Sequence, residues 1–274
     1  MGRFYILNSF IQFYFAAKTK YRTHSPFVFD FVNKILEDDR NYYAFSTVES
    51  VRKLLKQDKS KINVQDLGAG SLIKNGQIKT ISSIASTALS SPFSCRILFK
   101  IVNLFKPTTI LELGTSLGIS TLYQHFAALN AKFVTLEGSE AIANLAAQNF
   151  ERMEVKSIEL VRGNFDDTLP KALEKLQKLD YLFLDGNHRK DPTLAYFEQC
   201  IKFAHENSVF VIDDIYWSKE MTEAWQEIKD HPKVTLSIDL FFMGLVFFRK
   251  ENIVKEHFKL IRSSWKPWEM GFFH

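Results

Sequence analysis

Ile110-Leu111-Glu112-Leu113-Gly114-Thr115-Ser116-Leu117-Gly118-Ile119-Ser120 is the stretch whose reading decides the fold. An apolar run, Ile110, Leu111 and Leu113, ends in two glycines, Gly114 and Gly118, and the apolar spacing over 117–129 then predicts a helix. The order is strand, tight turn, helix. Glycine at such a turn permits positive φ and lets a ligand approach the backbone, while the unpaired amides of the helix start attract polar or anionic groups. The stretch has the form of a cofactor cradle.

Working outward on the C-terminal side, strand-like runs at 109–113, 132–137, 157–162, 179–185 and 208–213 alternate with helical candidates at 117–129, 140–152, 169–178, 192–205 and 219–231. This alternation predicts an α/β fold, a doubly wound and mostly parallel sheet with helices on both faces. Two last apolar runs, 234–240 and 245–249, are separated by a short turn containing Gly244, too short for a crossover helix, so they should form an antiparallel hairpin. The tail from Ile253 should hold a helix, then Trp265, Trp268, Phe272 and Phe273, which pack back on the domain or bind something.

On the N-terminal side the pattern is helical, over 4–18, over 26–36 with Ser25 at the start and Pro26 at the first helical position, and over 47–56. The organisation expected is a helical extension over 1–92 (a lid, a substrate wall or a dimer arm), a cofactor domain over 93–250, and a C-terminal helix and aromatic tail over 251–274. A second apolar run ending in glycines, Lys61-Ile62-Asn63-Val64-Gln65-Asp66-Leu67-Gly68-Ala69-Gly70-Ser71, lacks an acidic strand end about 20 residues later and reads as a structural or active-site loop. The segment 93–105 reads as a helix closed by Pro107.

The chain has 274 residues, 46% hydrophobic and 24% charged, the composition of an ordinary globular protein; its 26 Phe favour a large aromatic core. A net charge of +4 without a basic run interleaved with aromatics gives no nucleic-acid signature. Cys95 and Cys200 have no metal-ligand spacing and are too few for a disulfide framework, which suits a reducing cytoplasm. The uncharged segment 4–17 is shorter than the roughly 20 residues that span a bilayer and reads as an amphipathic helix.

In a doubly wound sheet, ligands bind at the carboxyl ends of the strands. Polar residues gather at those ends here: Glu112, Gly114, Thr115, Ser116 and Gly118; then Glu137; then Gly163, Asn164, Phe165, Asp166 and Asp167; then Asp185, Gly186, Asn187 and His188; then Asp213 and Asp214. Any one set could be helix caps and turn formers. Five sets on one edge point to a site.

These residues, Leu111 to Thr121 with Glu137, Gly163, Leu182-Phe183-Leu184-Asp185 and Val211-Ile212-Asp213-Asp214, resemble class I S-adenosylmethionine-dependent methyltransferases, most of all the catechol and caffeoyl-CoA O-methyltransferase branch and the macrolide-sugar O-methyltransferases. The resemblance covers about 93–250 and implies a seven-stranded Rossmann-like sheet with a reversed last strand. It implies that Gly114, Thr115, Ser116 and Gly118 hold the methionine part of S-adenosylmethionine, with Glu112, Ser120, Gly138 and Asp185 also at the cofactor. Glu137 would bind the ribose hydroxyls, and Asn164 and Phe165 would line the adenine pocket. Asp185, Asp213 and Asp214, an all-oxygen set that suits Mg²⁺ or another divalent cation, would hold a metal that binds substrate hydroxyls. Asp214 stands where the catechol branch has Asn. His188, three residues after Asp185, would be the catalytic base, with Asp185 beside it.

The activity implied is transfer of a methyl group to a hydroxyl of a small molecule, Mg-assisted; apart from the resemblance, the cysteines suit the cytoplasm, and a homodimer through the N-terminal helices is one expected role of the 1–92 extension. Tyr216 and Trp217 are substrate-wall candidates. Arg189 and Lys190 either bind an acidic substrate or face solvent. Two rival readings remain: a non-catalytic binding or scaffold protein on the cofactor fold, and a serine hydrolase using Ser116, since Gly114-Thr115-Ser116-Leu117-Gly118 also fits a nucleophile elbow.

Overall fold

The structure, a computed structural model, describes residues 2–64 and 76–269. In chain order its helices are α1 (Gly2–Ala16), α2 (Pro26–Phe31), α3 (Tyr43–Gln57), α4 (Ile81–Thr87), α5 (Pro92–Phe105), α6 (Ile119–Ala127), α7 (Glu140–Arg152), α8 (Phe165–Leu176), α9 (Lys190–Cys200) and α10 (Lys219–Asp230). Its strands are β1 (Lys61–Val64), β2 (Gln77–Thr80), β3 (Thr109–Leu113), β4 (Lys132–Glu137), β5 (Ile158–Arg162), β6 (Tyr181–Leu184), β7 (Val209–Asp213), β8 (Leu236–Asp239), β9 (Met243–Phe247) and β10 (Glu256–Lys259). The chain divides into two compact units.

The first unit comprises Asn41–Asn187 and Glu198–Ala204. Its four strands run parallel in the order β5-β4-β3-β6, with Leu113 of β3 opposite both Leu136 of β4 and Leu184 of β6. Strand β3 is buried along its whole length, the pattern of a parallel strand covered on both faces. Helix α5 leads into it and ends at Lys106 in the left-handed region (φ 48°), immediately before Pro107. Residues 41–92, expected to belong to a separate extension, share a core with the cofactor segment. Phe45, Val48, Val51 and Leu55 of α3 pack with Phe99 of α5, Leu122 and Tyr123 of α6 and Phe150 of α7. Two polar ties hold α3 there: Tyr123 donates to Glu49 (3.0 Å), and the buried Arg52 donates to the Ser90 carbonyl (2.8 Å). Strands β1 and β2 form an antiparallel pair on either side of the second glycine-rich loop, whose residues 65–75 lie outside the described ones.

The second unit comprises Met1–Arg40, His188–Phe197 and His205–His274. The hairpin expected near Gly244 is present, β8 pairing antiparallel with β9 and β9 antiparallel with β7. A Cβ on Gly244 would lie 2.6 Å from the Trp225 ring, so α10 packs directly on the bare strand. The helix expected after Ile253 is instead β10, parallel to β8. Its ends explain this: Glu256 N–H donates to the Thr235 carbonyl and Leu260 N–H to the Asp239 carbonyl, so the edge of β8 supplies partners that four residues of helix could not. With β1 and β2 set aside, each unit holds four strands, making eight where seven were expected. Trp265 and Trp268 follow in short 3₁₀ turns, whereas Phe272 and Phe273 lie outside the described residues.

Candidate active site

The turn after β3 is shaped by three residues at positive φ: Gly114 (101°), Ser116 (49°) and Gly118 (80°). A Cβ on Gly114 would stand 2.3 Å from the Asp185 carbonyl oxygen, so only glycine lets the chain leave β3 beneath the end of β6. Gly118 caps α6, and a Cβ there would meet the Phe150 ring at 2.6 Å. Strand end and turn are tied to their neighbours: Gly114 N–H and Thr115 N–H donate to the Leu136 carbonyl, and Asp185 N–H donates to the Leu113 carbonyl.

Glu137, at the end of β4, organises the polar part. One carboxylate oxygen accepts from Ser116 N–H (2.9 Å) and the other from Ser139 N–H (2.9 Å), so the side chain is fixed between two turns. The hydroxyls of Ser116 and Ser139 are buried and have no hydrogen-bond partner among the described residues. Two unmet hydroxyls flanking an oriented carboxylate are what a cradle for a polar ligand requires. Asn164 caps α8, its side chain accepting from Asp166 N–H (3.2 Å), and the next residue, Phe165, sets its ring against the end of β6: a Cβ on Gly186 would touch it at 2.4 Å. Gly138 is half-buried between Glu137 and Ser139.

Three expected cofactor residues face elsewhere. Glu112 is 0% exposed, and its carboxylate accepts from Ser120 (2.8 Å), Thr121 (2.5 Å), Gln124 (2.9 Å) and Thr135 (2.7 Å). Burial pushes its carboxyl up to about 7, against these four donors, which lower it. Ser120 is thus engaged with Glu112, and the fully buried Thr115 hydroxyl pairs with Thr135 (2.6 Å). The reason is the pleat: Glu112 projects from an entirely buried strand onto α6, where Ser120, Thr121 and Gln124 follow at helical spacing. Thr121, Gln124 and Thr135 were not anticipated. Nor was Ser139, although its place two residues after the acidic strand end was a readable cue.

The remaining candidates belong to the second unit. His188 and Asp214 face each other at 4.0 Å (Nε2 to Oδ2), with Asp214 held at φ 54° and its N–H donating to the Phe242 carbonyl. Burial raises the Asp214 carboxyl, and the charge of His188 works against that shift. Trp217 is 56% exposed with its ring 6.4 Å from that of His188, an open wall beside the imidazole. Tyr216 is structural: its hydroxyl donates to Asp239 (2.7 Å) and its ring stacks on Phe241 at 5.0 Å. Lys190 pairs with Glu223 (3.3 Å) and Glu227 (2.7 Å) rather than awaiting an acidic substrate. Asp213 is 8% exposed at the end of β7.

Among the described residues no group of three or more His, Cys, Asp or Glu side chains is arranged to hold a metal ion. The hydroxyl of Ser116, the hydrolase candidate, has no hydrogen-bond partner among the described residues.

Residues 111–215 match the family described as "Methyltransferase domain". Over this segment the chain is similar to methyltransferase domains. Among sequence relatives, the methyltransferase segment is similar to the catechol O-methyltransferase of Niastella koreensis (29% identical over 128 residues, 46% of this chain and 57% of that protein). It is also similar to the catechol O-methyltransferase of Mycobacterium tuberculosis (31% over 134 residues, 48% and 57%). The chain thus spans a little over half the length of the curated relatives it matches. Among solved structures, the O-methyltransferase from Bacillus cereus in complex with SAH superposes with a TM-score of 0.55 at 20% identity, over 80% of this chain and 96% of that one. TomG from Streptomyces achromogenes, solved with SAM, gives 0.55 at 19% over 77% and 91%. At these identities the superpositions speak for the fold.

Proposed function

We propose that this protein is an S-adenosylmethionine-dependent O-methyltransferase acting on a hydroxyl of a small organic molecule. The observation that carries the reading is Glu137, oriented by the amides of Ser116 and Ser139 and flanked by their two partnerless buried hydroxyls. A carboxylate so fixed accepts the two hydroxyls of a ribose and repels a 2′-phosphate, which separates this ligand from NADP-like ones. The backbone of Gly114 to Gly118 holds the methionine part, with Gly138, Asn164 and Phe165 at the adenine and Asp185 closing the edge of the pocket.

The bound cofactor supplies a methyl group on an electrophilic sulfonium. The protein has to hold donor and acceptor in line and exclude water, which a pocket of backbone turns does without covalent chemistry. His188 takes the acceptor's hydroxyl proton as general base, and the Asp214 carboxylate 4.0 Å away favours the imidazolium so formed.

Calorimetric titration with S-adenosylhomocysteine tests the cofactor site. Micromolar binding is expected, and its absence would overturn the reading. Glu137→Ala should weaken that binding by roughly tenfold or more, the scale of losing charge-assisted hydrogen bonds. His188→Ala should leave it unchanged and lower turnover by roughly 10²–10⁴-fold. Catechol, the substrate named for both curated relatives, is the first acceptor to assay.

A further inference from the structure

Helix α1 is apolar on both sides. Its inner side carries Phe13, 2% exposed, into a small core with Ala17 and Ile261, packed by Phe10, Tyr14, Tyr216 and Phe241. Its outer side carries Phe4 (81% exposed), Leu7 (56%), Ile11 (46%) and Phe15 (78%). At 3.6 residues per turn these four fall within an arc of about 80°, a single stripe. The stripe continues sideways through aromatic rings: Phe15 to Tyr14 at 5.9 Å, and Tyr14 to the half-exposed Trp268 at 6.5 Å. An isolated exposed apolar residue needs no explanation, but a contiguous stripe does.

The segment that carries it is basic in sequence. Arg3, Lys18, Lys20 and Arg22 all precede the first acidic residue, Asp30, so this short segment carries the whole of the chain's net charge of +4. Lys18 is exposed and the Arg22 side chain, paired on one side with Glu269 (3.5 Å), is still 66% exposed, both just past the C-terminal end of α1.

We infer that the outer face of α1, with Trp268 beside it, seats on an anionic lipid surface with the helix lying in the plane of the membrane. An apolar stripe, a tryptophan at its margin and cations at its end are the features of an interfacial helix, whose binding grows with buried apolar area and with attraction to anionic headgroups. Among the described residues no helix is long and apolar enough to cross a membrane, and α1, about 22 Å long, lies on a surface rather than spanning one. A second copy of the chain fits less well. A stripe about 22 Å by 10 Å offers roughly 200 Å², against about 800 Å² per partner in a stable protein interface. Pairing this segment with itself would also bring its cations together.

The test is co-sedimentation of the full chain with vesicles of phosphatidylcholine alone and of an equimolar mixture with phosphatidylglycerol. Binding to the mixed vesicles is expected with a blue shift of tryptophan emission, and at least roughly tenfold weaker binding to phosphatidylcholine. Leu7→Asn with Ile11→Asn, both on the exposed side, should abolish vesicle binding without lowering the melting temperature. Lys18→Glu with Arg22→Glu should weaken binding to the anionic vesicles alone. Failure of the parent chain to sediment with anionic vesicles, or unchanged binding by the Leu7 and Ile11 variant, would overturn the inference. A parent dimer and a monomeric Leu7 and Ile11 variant by light scattering, with no lipid binding, would assign the face to a second copy and overturn it too.

Discussion

Glu112 and Glu137 are two carboxylates on adjacent strands with opposite fates. Glu112 titrates near 7 in the fold against an ordinary 4.5, so between those values the folded chain keeps a proton that the unfolded chain has released. Its contribution is present in full below about 4.5 and is lost as pH rises through about 7, on the order of 3 kcal/mol over that range. Urea unfolding at pH 5 and pH 8 should show this decline, and Glu112→Gln, which removes the titration and keeps the shape, should flatten it. Glu137 instead sits on backbone amides at the strand end, accepting from Ser116 and Ser139 N–H. Gly114→Ala should be destabilising by roughly 1–3 kcal/mol, because it combines a φ of 101° with a Cβ 2.3 Å from a carbonyl oxygen. Chemical denaturation of that variant checks the figure.

At the scale of elements, the ends of helices decide what the flanking chain does. The C-terminus of α1 is closed not by a glycine but by Lys266, 4% exposed, whose ammonium donates to the Ala17 carbonyl (2.6 Å) and lies over the Tyr14 ring at 5.2 Å. This contact pins the tail against the first helix. Lys266→Met should lower stability by about 1–2 kcal/mol, the cost of losing a charge-assisted bond to a helix carbonyl, and calorimetry would register it as a lower melting temperature. A long-range cap of this kind leaves no local trace, which is why the sequence leaves open whether the aromatic tail packs back on the domain or binds something. The β10 strand escaped for the same reason: its four residues are set by the exposed edge of β8, not by their own periodicity.

Across the whole molecule, both cysteines are buried to 0% exposure, Cys95 in the first unit among Arg52 and the α3 core and Cys200 at the end of α9. Burial alone pushes the Cys200 thiol up, away from the reactive thiolate. Neither should react with a thiol reagent in the folded chain, and both should react once it unfolds, so labelling rate gives a direct measure of opening. Fast labelling of either thiol under native conditions would contradict this packing.

The alternation of apolar runs determined the α/β class, the parallel strands β3 to β6, the β8–β9 hairpin and the turn at Gly114 to Gly118, because these depend on local period and on glycine's freedom at positive φ. The acidic strand end at Glu137 was legible on the same basis. What needed tertiary structure was the direction in which each polar side chain faces. Glu112 and Glu137 look alike in sequence, both ending or near the end of a strand, yet one is enclosed by Ser120, Thr121, Gln124 and Thr135 and the other is held open by two backbone amides. Burial and hydrogen-bond partners come from chain segments far apart in sequence, so only the folded chain decides which carboxylate is enclosed in the core and which is held on backbone amides at a strand end.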